Sequence, residues 1–201
     1  MHESLLAYIP MDRRQAMARG EELPEQSTGA ALFADISGFT QLTETLSTRV
    51  GSARRGAEEL TAYLNLVYDA LIAELHRWQG SAIAFAGDAV TCWFDDHGQP
   101  GSGVRRAATA AVAMQRAMQA FNAVATPAGT TVTLSMKAAV AAGPVRRMLV
   151  GDPRVRVIDA IAGQTLARLA AAEKQAERGD IVLACAAATL TGNAVIADRP
   201  R

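Results

Sequence analysis

What this 201-residue chain has little of narrows its reading first. It holds two cysteines, Cys92 and Cys185, which lie 93 residues apart, each in an apolar stretch. No C-x-x-C spacing occurs, so a disulfide framework and a cysteine-based metal site are set aside, and buried free thiols in a reducing compartment are expected. Net charge is zero, with 20 Lys+Arg against 20 Asp+Glu, and no five like charges run together. That balance excludes a basic nucleic-acid surface and a polybasic membrane anchor. No apolar run reaches the ~18 residues of a membrane span, and Met1 to Ala30 has no apolar core with a small-residue cleavage site. The expectation is a cytoplasmic protein with neither nucleic acid nor membrane as partner.

Half of the residues are hydrophobic. A single domain of this length buries roughly 70% of its unfolded surface and needs no disulfide or structural metal to fold. Residues 1–27 combine a short amphipathic piece with the polar stretch Gly20 to Ser27 and read as an N-terminal arm; residues 28–201 read as the domain. Ala30 to Ile36 is a continuous apolar run that suits a buried strand, and Phe39 to Leu46 starts a helix. Leu60, Leu64, Val67, Leu71, Leu75 and Trp78 are spaced by 4, 3, 4, 4 and 3, one face of a helix over 57–78. Ser81 to Ala86 and Ala89 to Phe94 read as a hairpin closed at Gly87-Asp88. A loop at 95–103 precedes an Ala/Met-rich helix at 104–125. A strand at 131–141 turns at Gly143-Pro144 and returns over 145–150. A helix is expected at 158–178, a strand at 180–185 and a last strand at 194–197. Mixed strands, helices and hairpins indicate an α+β fold, specifically a ferredoxin-like β-α-β-β-α-β core with a largely antiparallel sheet.

Two carboxylates stand next to glycines at the ends of apolar strands: Asp35 in Phe33-Ala-Asp-Ile-Ser-Gly-Phe-Thr40, and Asp88 in Phe85-Ala-Gly-Asp-Ala89. Asp is a common turn residue, and either one alone has an ordinary structural explanation. If the strands are neighbours, however, two ionised acids meet at one end of the sheet and call for a cation between them. Hard oxygen donors with few other protein groups suit Mg²⁺ or Mn²⁺, whose remaining coordination comes from water and substrate phosphates.

These two motifs, with Val140-Ala-Ala-Gly-Pro-Val145 and Val150-Gly-Asp-Pro153, resemble the class III adenylyl/guanylyl cyclase catalytic domain from about Ala30 to Ala197. The resemblance implies two divalent cations held by Asp35, Asp88 and the Ile36 carbonyl. It also implies triphosphate binding by backbone amides of Ser37, Gly38, Phe39 and Thr40 at a helix mouth. The expected substrate is ATP, with GTP open, and the expected reaction is cyclisation to a cyclic nucleotide and pyrophosphate. In that family the active site lies between two such domains, so a second cyclase-like domain in cis or trans, or a homodimer, is the implied partner.

The chain also departs from the family pattern. Ala84 stands where a base-reading Lys is expected. On the later helix, one register puts Ala167 and Ala171 at the family's Asn and transition-state Arg, and the other puts Gln164 and Arg168 there. The base-selecting acid falls at Ala160, next to Asp159. Retained ion ligands with missing base and transition-state groups resemble the first half of soluble, bicarbonate-responsive adenylyl cyclases. By that resemblance Lys137 and Arg168 form an anion or regulatory site. A catalytically inactive module that binds nucleotide or bicarbonate is the alternative.

Overall fold

The apolar run beginning at Ala30 becomes the central strand of the molecule. The computed structural model describes residues 9–49, 53–126, 129–152, 154–184 and 187. The helices are α1 (Met11–Arg19), α2 (Phe39–Arg49), α3 (Ala53–Arg77), α4 (Ser102–Met118) and α5 (Gln164–Glu173). The strands are β1 (Gln26–Ser37), β2 (Ser81–Ala86), β3 (Ala89–Asp95), β4 (Val124–Ala125), β5 (Thr131–Val132), β6 (Ser135–Asp152), β7 (Arg156–Ala162) and β8 (Ile181–Leu183). The main sheet has the order β2-β3-β1-β6-β7 with antiparallel neighbours, and β8 pairs parallel to β6. β4 and β5 form a separate pair. The first four strands of that order, with helices between them, are the expected ferredoxin-like core.

Side chains alternate across β1 because a strand's period is two. Ala30, Leu32, Ala34 and Ile36 join a large core with Leu42, Leu46, Val67, Leu71, Leu75 and the apolar side of α4. Ala31 faces the other way and packs with Trp93, Ala139, Ala141, Leu169 and Ala172. Helices α2, α3 and α4 therefore cover one face of the sheet, and α5 covers the other. The helical stripe read at 57–78 is the buried side of α3: Val67, Leu71 and Leu75 are fully enclosed, with Leu60, Leu64 and Trp78 packed at the margin.

Three expectations change. The chain does not turn at Gly143-Pro144; β6 runs unbroken for 18 residues, pairing Gly143 with Gly29 and Pro144 with Thr28. On its other edge β6 pairs with β8 at 138–140 and with β7 from 146 on. Pro144 thus sits in the gap between them, where its missing N–H interrupts no ladder. Second, 156–162 is strand β7 rather than the start of a helix, and only 164–173 is helical. Val157, Ile158 and Ile161 have the β-branched character that favours a strand. Third, α4 ends at Met118 and gives way to a short 3₁₀ turn at Gln119–Phe121 and then β4. Residues 11–19, in the amphipathic piece of the arm, form helix α1, with Ala16 buried. The strand expected at 194–197 lies outside the described residues.

An ion cluster fastens α1. Arg147 donates to Asp159 at 2.8 and 2.9 Å and to Asp12, and Arg13 donates to Asp159 from the helix side. The Arg147 and Asp159 side chains are only 3% and 2% exposed, so each is buried with its partner. The Asp12 backbone N–H also donates to Ser81 Oγ at 2.9 Å, which ties the start of α1 to β2.

Candidate functional site

The register of three strands brings the two acids together. Asp35 pairs with Ala89 of β3 on one side and with Lys137 of β6 on the other. Asp88 occupies the turn between β2 and β3, and its carbonyl accepts the Ile36 backbone N–H at 3.1 Å. Asp35, Ile36 and Asp88 therefore share one end of the sheet, as the sequence reading required. Asp35 continues the odd-numbered set of β1 that faces α5.

Ser37 ends β1 and Gly38 turns the chain into α2. Gly38 has φ +107°, and a Cβ there would lie 2.5 Å from the Thr133 carbonyl oxygen, so glycine is required for both conformation and space. The turn aims the first backbone amides of α2, over Phe39 and Thr40, out of the end of the helix beside Ile36. Amides in a first turn lack helical acceptors and carry the positive end of the helix dipole.

Lys137 is placed otherwise than expected. Its ammonium donates to Glu173 Oε1 at the end of α5 and stands 3.4 Å from Asp35 Oδ2. The hydrogen bond to Glu173 is the main reason its pKa lies above the usual lysine value, with Asp35 adding to it. Arg168 is elsewhere: its guanidinium bonds Gln164 Oε1 at 3.2 Å and lies against Gly143. Gln164 and Glu173 are the first and last residues of α5, so Arg168 and Lys137 bond at opposite ends of that helix. The structure does not bring Lys137 and Arg168 into one anion site. Arg168 instead borders a cleft of about 360 Å³ at the start of α5, with Arg146, Gln164 and Thr165.

Two contributors escaped the sequence reading. Tyr68 of α3 donates its hydroxyl to the Gly87 carbonyl at 3.2 Å and packs edge-on against Phe85, with ring centroids 5.4 Å apart. It braces the turn that carries Asp88. Burial raises its phenol pKa first, and the charges of Asp88 and Asp35 raise it further, which places both carboxylates within electrostatic reach. Glu173 is the second contributor, through Lys137. Neither contact has a local signal, because the partners are 19 and 36 residues apart. Glu173 also borders a cleft of about 220 Å³ with Phe33, Thr91, Leu166, Leu169 and Ala170, on the face that carries Asp35.

Among the described residues no three His, Cys, Asp or Glu side chains converge as a complete metal cage. The donor set at Asp35 and Asp88, two carboxylates with a nearby backbone carbonyl, fits Mg²⁺ or Mn²⁺ completed by water and phosphate oxygens. Among the described residues no helix is long and apolar enough to cross a membrane.

No protein-family model matches the chain. Adenylate cyclase type 10 from Rattus norvegicus is 29% identical over 157 residues, covering 77% of this chain and 9% of the relative. The chain thus spans under a tenth of that curated relative. Among solved structures, the adenylyl cyclase CyaB from P. aeruginosa superposes with a TM-score of 0.66 at 20% identity, covering 85% of this chain and 83% of that one. The guanylyl cyclase Cya2 superposes with a TM-score of 0.67 at 22% identity, covering 83% and 79%. The chain has the fold of class III adenylyl and guanylyl cyclase catalytic domains, and the resemblance read from its motifs is borne out.

Proposed function

We propose that this chain is a nucleotidyl cyclase domain that forms cyclic AMP and pyrophosphate from ATP by supplying the ion-binding half of a shared active site. The juxtaposition of Asp35 and Asp88 at one end of the sheet carries the reading. Residues 28–201 form the cyclase-like unit in this proposal, and residues 1–27 are an arm docked on it through α1.

Asp35, Asp88 and the Ile36 carbonyl would hold two divalent cations, Mg²⁺ or Mn²⁺. Such ions, when bound, lower the pKa of the ribose 3′-hydroxyl and neutralise charge on the phosphates. The amides of Ser37, Gly38, Phe39 and Thr40 would receive phosphate oxygens at the mouth of α2. Tyr68 keeps the Asp88 turn in place while these groups bind. The attack of the 3′-oxygen on the α-phosphorus also needs a base-reading group and a cation on the transition state. Ala84, and Ala167 and Ala171 of α5, supply neither, so the complementary domain would bring them. Loss of a transition-state cation typically costs about three to five orders of magnitude in rate. The proposed compartment is the cytoplasm.

Those alanines also favour a second reading, a cyclase-like regulatory module that binds nucleotide without turning it over. Purified chain with Mn²⁺ and ATP, assayed alone and with a domain carrying the missing Lys, Asn and Arg, separates the two. The cyclase reading expects little product alone, product in the mixture, and loss of that product with Asp88→Asn. If no mixture forms cyclic nucleotide and Asp35→Ala leaves nucleotide binding unchanged, the cyclase reading is lost.

A further inference from the structure

Asp35 has one ion-pair partner among the described residues, the ammonium of Lys137, and that ammonium is shared with Glu173. We infer that Lys137 is a displaceable counter-ion at the ion site and that Glu173 receives it, so that the end of α5 sets the site's affinity for a divalent cation. The inference rests on the proposed role of Asp35 and Asp88 as ion ligands, and it concerns what occupies that site before an ion does.

Three observations support it. Lys137 and Asp35 are direct cross-strand partners, so their side chains leave the same face of the sheet at one level. The Lys137, Asp35 and Glu173 side chains are 21%, 25% and 26% exposed. They are near enough to solvent to exchange partners, unlike the buried Arg147 cluster. Glu173 is also the last residue of α5, where the negative end of the helix dipole adds to the attraction for a cation.

Two adjacent carboxylates repel each other, and Lys137 offsets one of those charges in the ion-free protein. A divalent cation on Asp35 repels an ammonium 3.4 Å from the same carboxylate. Lys137 must then give up Asp35. Because Glu173 already accepts its hydrogen bond, the ammonium moves from two carboxylates to one and is not released to water. Lys137 and Glu173 are positioning residues in this scheme: they act on the ion through Asp35.

The test is a double-mutant cycle read by Mn²⁺ binding to the full chain, followed by electron paramagnetic resonance without nucleotide, with thermal melts confirming the fold of each variant. Lys137→Met removes the competitor and is expected to tighten Mn²⁺ binding about fivefold, the equilibrium effect of one partly exposed ion pair. Lys137→Gln serves the same purpose should the methionine variant fold poorly. Glu173→Gln leaves Lys137 with Asp35 alone and is expected to weaken binding by a similar factor. The double variant is expected to bind like Lys137→Met, because Glu173 acts only through the lysine. Equal weakening by Glu173→Gln with and without Lys137, or no tightening on loss of Lys137, overturns the inference and leaves Glu173 a remote charge. If the wild-type chain binds no Mn²⁺ at millimolar concentration, the ion site itself fails, a result distinct from additivity.

Discussion

At the scale of single residues, the site depends on how rigidly Asp88 is presented. Gly87 takes φ +63° in the hairpin turn, a conformation open to glycine at no steric cost, and Tyr68 bonds the carbonyl of that same residue. Tyr68→Phe retains the edge-on packing against Phe85 and removes one hydrogen bond, a loss of about 0.5–1.5 kcal/mol. Faster amide exchange confined to residues 86–89, with weaker Mn²⁺ binding, is the expected result. Unchanged exchange there would mean that the hydrogen bond does not brace the turn. Asp35 and Asp88 were legible in the sequence because a carboxylate beside glycine at the end of an apolar strand is conspicuous. Tyr68 and Glu173 were not, because a tyrosine on a long helix and a glutamate at a helix end are unremarkable until the fold brings their partners near.

Among the elements, α1 and the junction of β6 with β7 carry the strongest dependence on charge. Burial alone would raise the Asp159 carboxyl, but hydrogen bonds from Arg147 and Arg13, aided by their charges, hold it below the usual carboxylate value. A carboxyl depressed in the folded state contributes stability above the unfolded pKa of about 4, and that contribution is lost as pH falls through the folded value. Circular dichroism during acid titration is expected to show wild-type stability falling below about pH 4, with a shallower decline in Asp159→Asn. Arg147→Met leaves Asp12 and Asp159 without their shared cation, and breaking a buried pair in this way typically costs about 3–5 kcal/mol. Urea denaturation measures it, and a loss below 1 kcal/mol would show that the cluster does not hold α1. Leu71→Ala in α3 should cost about 2–5 kcal/mol by the same measurement, since that side chain is fully enclosed. The stripe of α3 was readable because its period is local. The β6 strand was misread because Gly-Pro ordinarily marks a turn, and only the gap between β7 and β8 makes Pro144 harmless.

For the whole molecule, the order β2-β3-β1-β6 determines that the site forms at all. β1 lies between the strand that begins beside Asp88 and the strand that carries Lys137, so three segments far apart in the chain end at one place. An ion that binds only the folded chain stabilises all of it: at tenfold excess over its Kd, Mn²⁺ should add about 1.4 kcal/mol. A rise in Tm that disappears in Asp35→Asn and Asp88→Asn is the expected outcome of a calorimetric titration, and a rise that persists in both variants would place the ion elsewhere.

The class of fold, the apolar stripes and the two acids are legible in the residue order, because periodicity and turn chemistry are properties of neighbouring residues. By resemblance, and on one of two registers of the later helix, the sequence also suggested alanines at the positions where the family carries Lys, Asn and Arg. Long-range packing places Lys137 with Asp35 and Glu173 at the end of α5, and Arg168 with Gln164 at its start. Strand register and the packing of α5 set those neighbours, and both are settled by long-range pairing that no local stretch of sequence encodes.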